Sequence, residues 1–281
     1  MAKTVSGTKE WSSSSVNCMD GCPHDCRYCY AKADAIRFGR TTPDTWKDEK
    51  PRDGASGRRY GKRQGTVMFP TSHDITDGNI RYCLETLGGL LRVGNKVLVV
   101  SKPRPQIVKA LCETLANMAD WAHMDWKKQV LFRFTIGSMD PETLGFWEPG
   151  APTFAERLCA LIWVFENGWQ TSVSMEPMLD DNLDDVIRLV RTVAPYVTDA
   201  VWIGKANNLR QRCSMNAGGN LDSRTDMMVL QLEAAWTDAR IKDLYYRNIN
   251  CDPEIRPKVK WKESIKKVIG LEIPAEAGLD I

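Results

Sequence analysis

Four cysteines fall within twelve residues, in the run Asn17-Cys18-Met19-Asp20-Gly21-Cys22-Pro23-His24-Asp25-Cys26-Arg27-Tyr28-Cys29-Tyr30-Ala31. Thiolates at this density bind metal or an iron–sulfur cluster. A zinc ion could take all four sulfurs in a closed tetrahedral site. Structural zinc sites, however, usually pair two Cys-x2-Cys knuckles well apart in sequence, and only Cys26 and Cys29 have that spacing here. An iron–sulfur cubane is the second choice, since its thiolates come from closely spaced loops. The other five cysteines, 83, 112, 159, 213 and 251, are scattered. That pattern is not the dense framework of a disulfide-stapled secreted domain.

The elements that must position this loop follow a rhythm of apolar β-rich runs and helical patterns. Strands are expected over 11–17 (weakened by its serines), 66–71, 96–101, 130–136, 170–175 and 200–203. Helices are expected near 27–39, 79–93, 105–120, 153–167 and 182–195. In the fourth helix Phe154, Leu158, Leu161, Ile162 and Phe165 recur at helical spacing. Strands separated by helices imply βαβ units and a parallel sheet. Six such units give an α/β fold, a partial (β/α)6 TIM-like barrel, whose chemistry sits at the C-terminal ends of the strands. Residues 1–210 are read as this barrel, with a polar, glycine-bearing insertion over 40–65 that reads as a mobile lid. Residues 211–281 are read as a helical, basic extension capping it. The insertion carries seven basic and three acidic residues over 47–63, and the tail nine basic and four acidic over 240–270.

Composition excludes several classes. The chain has 281 residues, 43% hydrophobic and 26% charged, as ordinary globular proteins do. Thirty-eight Lys and Arg against 36 Asp and Glu leave a net charge of +2, too small for a global basic field. The longest apolar run, 158–165, is far short of the roughly 20 residues of a membrane span. The N-terminal sequence from Met1 to Thr4 leads into polar sequence without an apolar signal core, so a cytoplasmic protein is expected.

The spacing Cys22-x3-Cys26-x2-Cys29, with Tyr28 before the last cysteine, resembles the signature of the radical S-adenosylmethionine (SAM) enzymes, and it lies between the first strand and first helix as in that family. The run 21–31, the segment Glu148-Pro149-Gly150-Ala151-Pro152 with Glu156-Arg157-Leu158, and the turn Thr71-Ser72-His73-Asp74-Ile75 resemble the branch that includes spore photoproduct lyase. The resemblance spans roughly residues 14–205, with boundaries good to a few residues. It implies a [4Fe–4S] cluster on Cys22, Cys26 and Cys29. SAM would chelate the open iron and be cleaved reductively to a 5′-deoxyadenosyl radical that abstracts hydrogen from a substrate. Cys18 is then a non-ligand, because a fourth thiolate would close the position SAM needs.

The same resemblance places Tyr28 near the SAM adenine and Ser72, His73 and Asp74 near its amino group. It puts Ser138 and Arg157 by the ribose or carboxylate; Lys102, ending the third strand, is a cation for the carboxylate, and Glu176, after the fifth, a carboxylate for the ribose or substrate. Lys205, Asn207 and Asn208 fall on the substrate side, and His24 is either a solvated loop histidine or a contact to sulfur or substrate. One departure matters: the lyase branch carries a hydrogen-donating cysteine just before its Thr-Ser turn, where this chain has Pro70. Thymine-dimer repair by that route is therefore not expected.

Three functions compete. The first is a radical SAM enzyme acting on a nucleic acid or nucleotide, suited by the basic insertion and by the tail with Tyr245, Tyr246 and Trp261. The second acts on a peptide or small metabolite. The third is a non-catalytic, zinc-stabilised binding module. The enzyme readings carry a flavodoxin or ferredoxin as reductant, a monomer or homodimer, and no membrane.

Overall fold

The computed structural model describes residues 5–278. The reading of Met1 to Thr4, and the outermost residues of the two expected segments, lie outside them. The chain enters through a 3-10 turn (Gly7–Glu10) and a short strand, β1 (Ser14–Ser15). The cysteine loop follows, starting in β2 (Met19–Asp20) and ending in helix α1 (Tyr30–Arg37). The polar insertion contributes β3 (Lys50–Pro51), antiparallel to β2.

Five parallel strands and their helices then alternate: β4 (Thr66–Phe69), α2 (Ile80–Arg92), β5 (Lys96–Ser101), α3 (Pro105–Trp121), β6 (Val130–Thr135), α4 (Pro141–Trp147) and α5 (Phe154–Glu166), β7 (Gln170–Met175), α6 (Leu183–Val193) and β8 (Val201–Ile203). Helices α7 (Leu209–Asn216), α8 (Ser223–Ala235) and α9 (Asp238–Asp243) lead to a last strand, β9 (Val259–Trp261), and α10 (Glu263–Ile269). The main sheet is parallel throughout, in the order β1-β4-β5-β6-β7-β8-β9. The expected partial barrel is thus present, with a seventh strand supplied by the segment read as an extension.

The central strands are buried on both faces, as parallel strands covered by crossover helices must be. Val97 and Val99 of β5 join the large core beneath the helices, while Leu98 faces the inner side with Met68, Trp11 and Trp202. On that inner face the Arg133 guanidinium lies between the rings of Trp11 (4.5 Å) and Trp202 (5.0 Å). It donates to Ser172 Oγ and to Asp199, each at 2.9 Å. Local signals set the helix starts. Thr153 and Glu156 form a reciprocal capping box on α5, and Pro105 opens α3.

The insertion does not stand free. Trp46 is 3% exposed, its carbonyl accepts from Cys22 N–H at 2.9 Å, and Arg52 N–H donates to the Cys18 carbonyl at 2.9 Å. Its first half is therefore a brace on the cysteine loop.

Candidate active site

The C-terminal ends of the strands open into a cavity of about 690 Å³, within the ~300–1,000 Å³ range of small-molecule pockets. Cys22, Cys26 and Cys29 line it together with Tyr28, the Ser72–Asp74 turn, Lys102 and Glu176. The loop that carries the three cysteines is held from several sides. Gly150 N–H donates to the His24 carbonyl at 3.0 Å, and Arg27 N–H to the Trp147 carbonyl at 2.9 Å. The Asn216 amide on α7 donates to the carbonyls of Arg27 (2.9 Å) and Cys29 (3.0 Å). Cys29 is the N-cap of α1, its sulfur accepting from Lys32 N–H at 3.4 Å.

Gly150 is required where it is. A Cβ there would lie 2.2 Å from the Pro23 carbonyl oxygen. The run Glu148-Pro149-Gly150 can press against the cysteine loop only because that Cβ is missing.

Two charged groups organise the wall. Asp74 accepts from Lys102 N–H (2.9 Å), Ile75 N–H (2.7 Å) and the Ser101 hydroxyl, and pairs with His24 Nδ1 at 3.2 Å. Burial alone would raise its pKa, but His24, Lys102 and Ser101 hold it well below the ordinary carboxylate range. Glu148, 2% exposed, accepts from the Tyr28 phenol, pairs with Arg157 at 2.5 Å and lies 3.7 Å from Lys102 Nζ. Burial again opposes ionisation, and Arg157 and Lys102 outweigh it, so Glu148 stays a carboxylate. Lys102 is the counterpart: burial would discharge it, yet the acidic groups around it keep its pKa high. Its ammonium lies 5.7 Å above the Tyr28 ring.

The bare thiols are held protonated. Burial raises Cys22 and Cys29 above the ordinary thiol range and pushes Cys26 up to about 12. Thiols in such surroundings ionise only against a cationic group, as metal ligands do. Among the described residues, only Cys18, His73 and Cys83 bring three ligand atoms within 4.8 Å of one another. Cys22, Cys26 and Cys29 do not come that close together, and all three line the cavity. Cys18 does not line it; its sulfur is 3.9 Å from Cys83 and 3.7 Å from His73 Nε2.

Of the residues expected at the site, Tyr28, Ser72, His73, Asp74, Lys102 and Glu176 line the cavity, as do His24, Lys205 and Asn207. His24 is buried and bound to Asp74, not solvated. Ser72 Oγ accepts from Arg52 at 3.1 Å. Glu176 lies 3.4 Å from Lys262. Ser138, Arg157 and Asn208 do not line it. Ser138 is fully buried and donates to Asp180 at 2.5 Å. Arg157, also fully buried, donates to the Pro152 and Thr135 carbonyls at 2.8 and 3.1 Å and reaches the site only through Glu148. The sequence reading missed Glu148 as a member of the charged cluster, although it opens the quoted Glu-Pro-Gly segment. It also missed Asn17, whose carboxamide oxygen accepts from the backbone of Thr71 (2.7 Å) and Ser72 (2.9 Å).

No protein-family model matches the chain, and no curated protein matches it in sequence. Solved structures do match in fold. A spore photoproduct lyase mutant with bound S-adenosylmethionine and dinucleoside spore photoproduct superposes with a TM-score of 0.51 at 14% identity, over 88% of this chain and 75% of that one. The lyase complexed with dinucleoside spore photoproduct gives 0.51 at 15% identity, over 87% and 74%. At such identity the likeness establishes architecture: this chain has the partial α/β barrel seen in the radical SAM enzyme spore photoproduct lyase, the fold its cysteine spacing leads one to expect.

Proposed function

We propose that the chain is a radical SAM enzyme, with Cys22, Cys26 and Cys29 holding a [4Fe–4S] cluster and SAM bound across the strand ends. The observation that carries this reading is that Cys22, Cys26 and Cys29 line the cavity while Cys18 does not, which leaves a three-cysteine set facing it. When bound, the two cofactors supply one-electron cleavage of the SAM sulfonium and, through it, hydrogen abstraction from a substrate.

The protein's residues divide the remaining work. Lys102 is the cation for a ligand carboxylate, kept charged by Glu148 and Asp74. Tyr28 offers a ring wall near the adenine, fixed by Glu148. Ser72 and Glu176 present polar atoms to the amino group and ribose. Asp74, Arg157 and Ser138 act through other residues: Asp74 on Lys102, Arg157 on Glu148, and Ser138 on the turn after β6. The 211–281 segment completes the wall, with Arg212, Ala275 and Ala277 on the cavity.

The substrate class we favour is a nucleic acid or nucleotide. Lys47, Lys50, Arg58, Arg59 and Lys62 are exposed on the insertion whose Trp46 lines the cavity, and such residues suit phosphate contacts. A reductant protein of the flavodoxin or ferredoxin kind belongs to the proposal.

The test is anaerobic purification with iron and sulfide analysis, then dithionite reduction with SAM and mass spectrometry for 5′-deoxyadenosine. About four irons per chain and 5′-deoxyadenosine are expected, both lost in Cys26→Ala, with the iron kept in Cys18→Ala. No iron after reconstitution and no SAM cleavage would remove the catalytic reading.

A further inference from the structure

Beneath the cavity lies a second set of metal-ligating side chains that the proposed chemistry does not use. Cys18 (1% exposed), Cys83 (0%) and His73 (8%) come from three separate segments: the start of the cysteine loop, helix α2 and the turn after β4. We propose that they bind one Zn²⁺ ion that locks these segments together.

Two edges of the trio have the lengths of a tetrahedral zinc site, and the third is within 4.8 Å. Zinc with Zn–S of ~2.3 Å and Zn–N of ~2.0–2.1 Å has a sulfur–sulfur edge of ~3.8 Å and a sulfur–nitrogen edge of ~3.6 Å. The observed distances are 3.9 Å between Cys18 and Cys83 Sγ, and 3.7 Å between Cys18 Sγ and His73 Nε2. The imidazole is set for ligation. Nδ1 donates to the Asp74 carbonyl at 2.9 Å, so Nε2 carries the lone pair and faces the sulfurs. That lone pair accepts from Cys18 N–H at 3.2 Å, a contact the ion would displace or share. The fourth corner falls to an oxygen donor. The Thr86 hydroxyl is near: it is buried, lies one turn along α2 from Cys83 and interacts with the Cys18 thiol.

Charge selects the ion. Two thiolates and a neutral imidazole make a −2 site that a divalent cation neutralises, and only a neutral centre is cheap to keep this deeply buried. Nitrogen and sulfur donors in a closed tetrahedron favour zinc over magnesium or calcium. The ion would fix the 71–74 turn, and with it the Asp74 contacts to Lys102 and His24.

The site is independent of the cluster, so its test does not rest on the proposed function. In the full chain with Cys22, Cys26 and Cys29 all changed to Ala, one Co²⁺ per chain is expected. Its signature is a thiolate-to-cobalt charge-transfer band with intense tetrahedral d–d absorption, both abolished by equimolar Zn²⁺. Adding Cys18→Ser or Cys83→Ser should weaken Zn²⁺ binding by at least ~100-fold, the upper end of losses seen on removing mere supporting residues. Adding Cys112→Ser, at another buried thiol, should change nothing. Absence of the tetrahedral cobalt spectrum in a folded protein, or its persistence without Cys18 or Cys83, would overturn the proposal. Should the triple variant not fold, zinc-edge X-ray absorption on the wild-type chain decides. Two sulfurs at ~2.3 Å and nitrogen or oxygen at ~2.0–2.1 Å support the site. Four sulfurs, or no zinc at all, refute it.

Discussion

The Tyr28 phenol donates to a carboxylate oxygen of Glu148, 120 residues further along the chain, inside the charged group formed with Arg157 and Lys102. The residue before Cys29 is thereby tied to the segment after α4. Glu148→Gln leaves the buried Arg157 guanidinium without its anion and Lys102 with Asp74 alone, and should lower stability by about 3–5 kcal/mol. Tyr28→Phe removes one hydrogen bond and should cost only about 1–3 kcal/mol. Urea denaturation of both variants checks the order; equal losses would show that Glu148 does not hold the cations.

Gly150 is a second point of control over the cysteine loop. The Cβ of Gly150→Ala meets backbone, the Pro23 oxygen at 2.2 Å and the His24 Cα at 3.0 Å, so the loop itself must move. A loss of about 1–3 kcal/mol is expected, with iron content after reconstitution cut by half or more. Gly145→Ala on α4 meets nothing within 4 Å and should be neutral or stabilising by up to about 1 kcal/mol. Matching iron contents in the two variants would contradict the close-approach argument.

Lys262 is fully buried and lies 2.9 Å from both Glu10 and the Gly7 carbonyl. Lys262→Met strands the Glu10 carboxylate and should cost about 3–5 kcal/mol. The double variant Glu10→Leu with Lys262→Met should be less destabilised than Lys262→Met alone, because no buried charge is left over. A double-mutant cycle with additive losses would mean that the two side chains are not coupled.

Asp180 gives the fold a specific acid response. Burial raises its pKa to about 6 from the usual 3.8, against the Ser138 hydrogen bond that lowers it. The folded protein therefore keeps its proton where the unfolded chain has lost it. The stability tied to that proton is fully present below about pH 4 and is lost as pH rises toward 6, by about 3 kcal/mol in all at 1.36 kcal/mol per pH unit. Asp180→Asn should flatten this segment of the stability profile. An unchanged slope between pH 4 and 6 in the variant would rule Asp180 out as its source.

Much of the barrel could be read from local pattern. Strands β5 and β7 begin and end at the expected residues, β5 as the apolar run Val97–Val100 and β7 as the alternation of Thr171, Val173 and Met175 with Ser172 and Ser174. The expected strand over 11–17 shrinks to Ser14–Ser15, where serines offer little side chain to pack. Strand β9 escaped notice because Val259-Lys260-Trp261 is too short to show a period; it is a strand because β8 pairs with it. Helix α4 had a start signal in Asp140-Pro141, with Asp140 capping Thr143 N–H, but its seven residues carry too little amphipathic pattern. At the site, the cavity-lining Cys22, Cys26 and Cys29 were legible because their spacing is itself the signal. The Tyr28–Glu148 and Cys18–Cys83 contacts were not, since they join segments 120 and 65 residues apart that only the folded barrel brings together.

The sheet stops at seven strands, and its two edges, β1 and β9, are bridged by Glu10 with Lys262 and by Glu263 N–H donating to Glu10 across 253 residues. Synthesis gives this closure a timetable. The cysteine loop is made first, while the strand and lysine that finish the wall come some 230–240 residues later, roughly 12–48 s at ordinary elongation rates. Throughout that interval the three thiols face solvent without their enclosure. The barrel wall therefore also sets when those thiols become sheltered: only after β9 and Lys262 have been made.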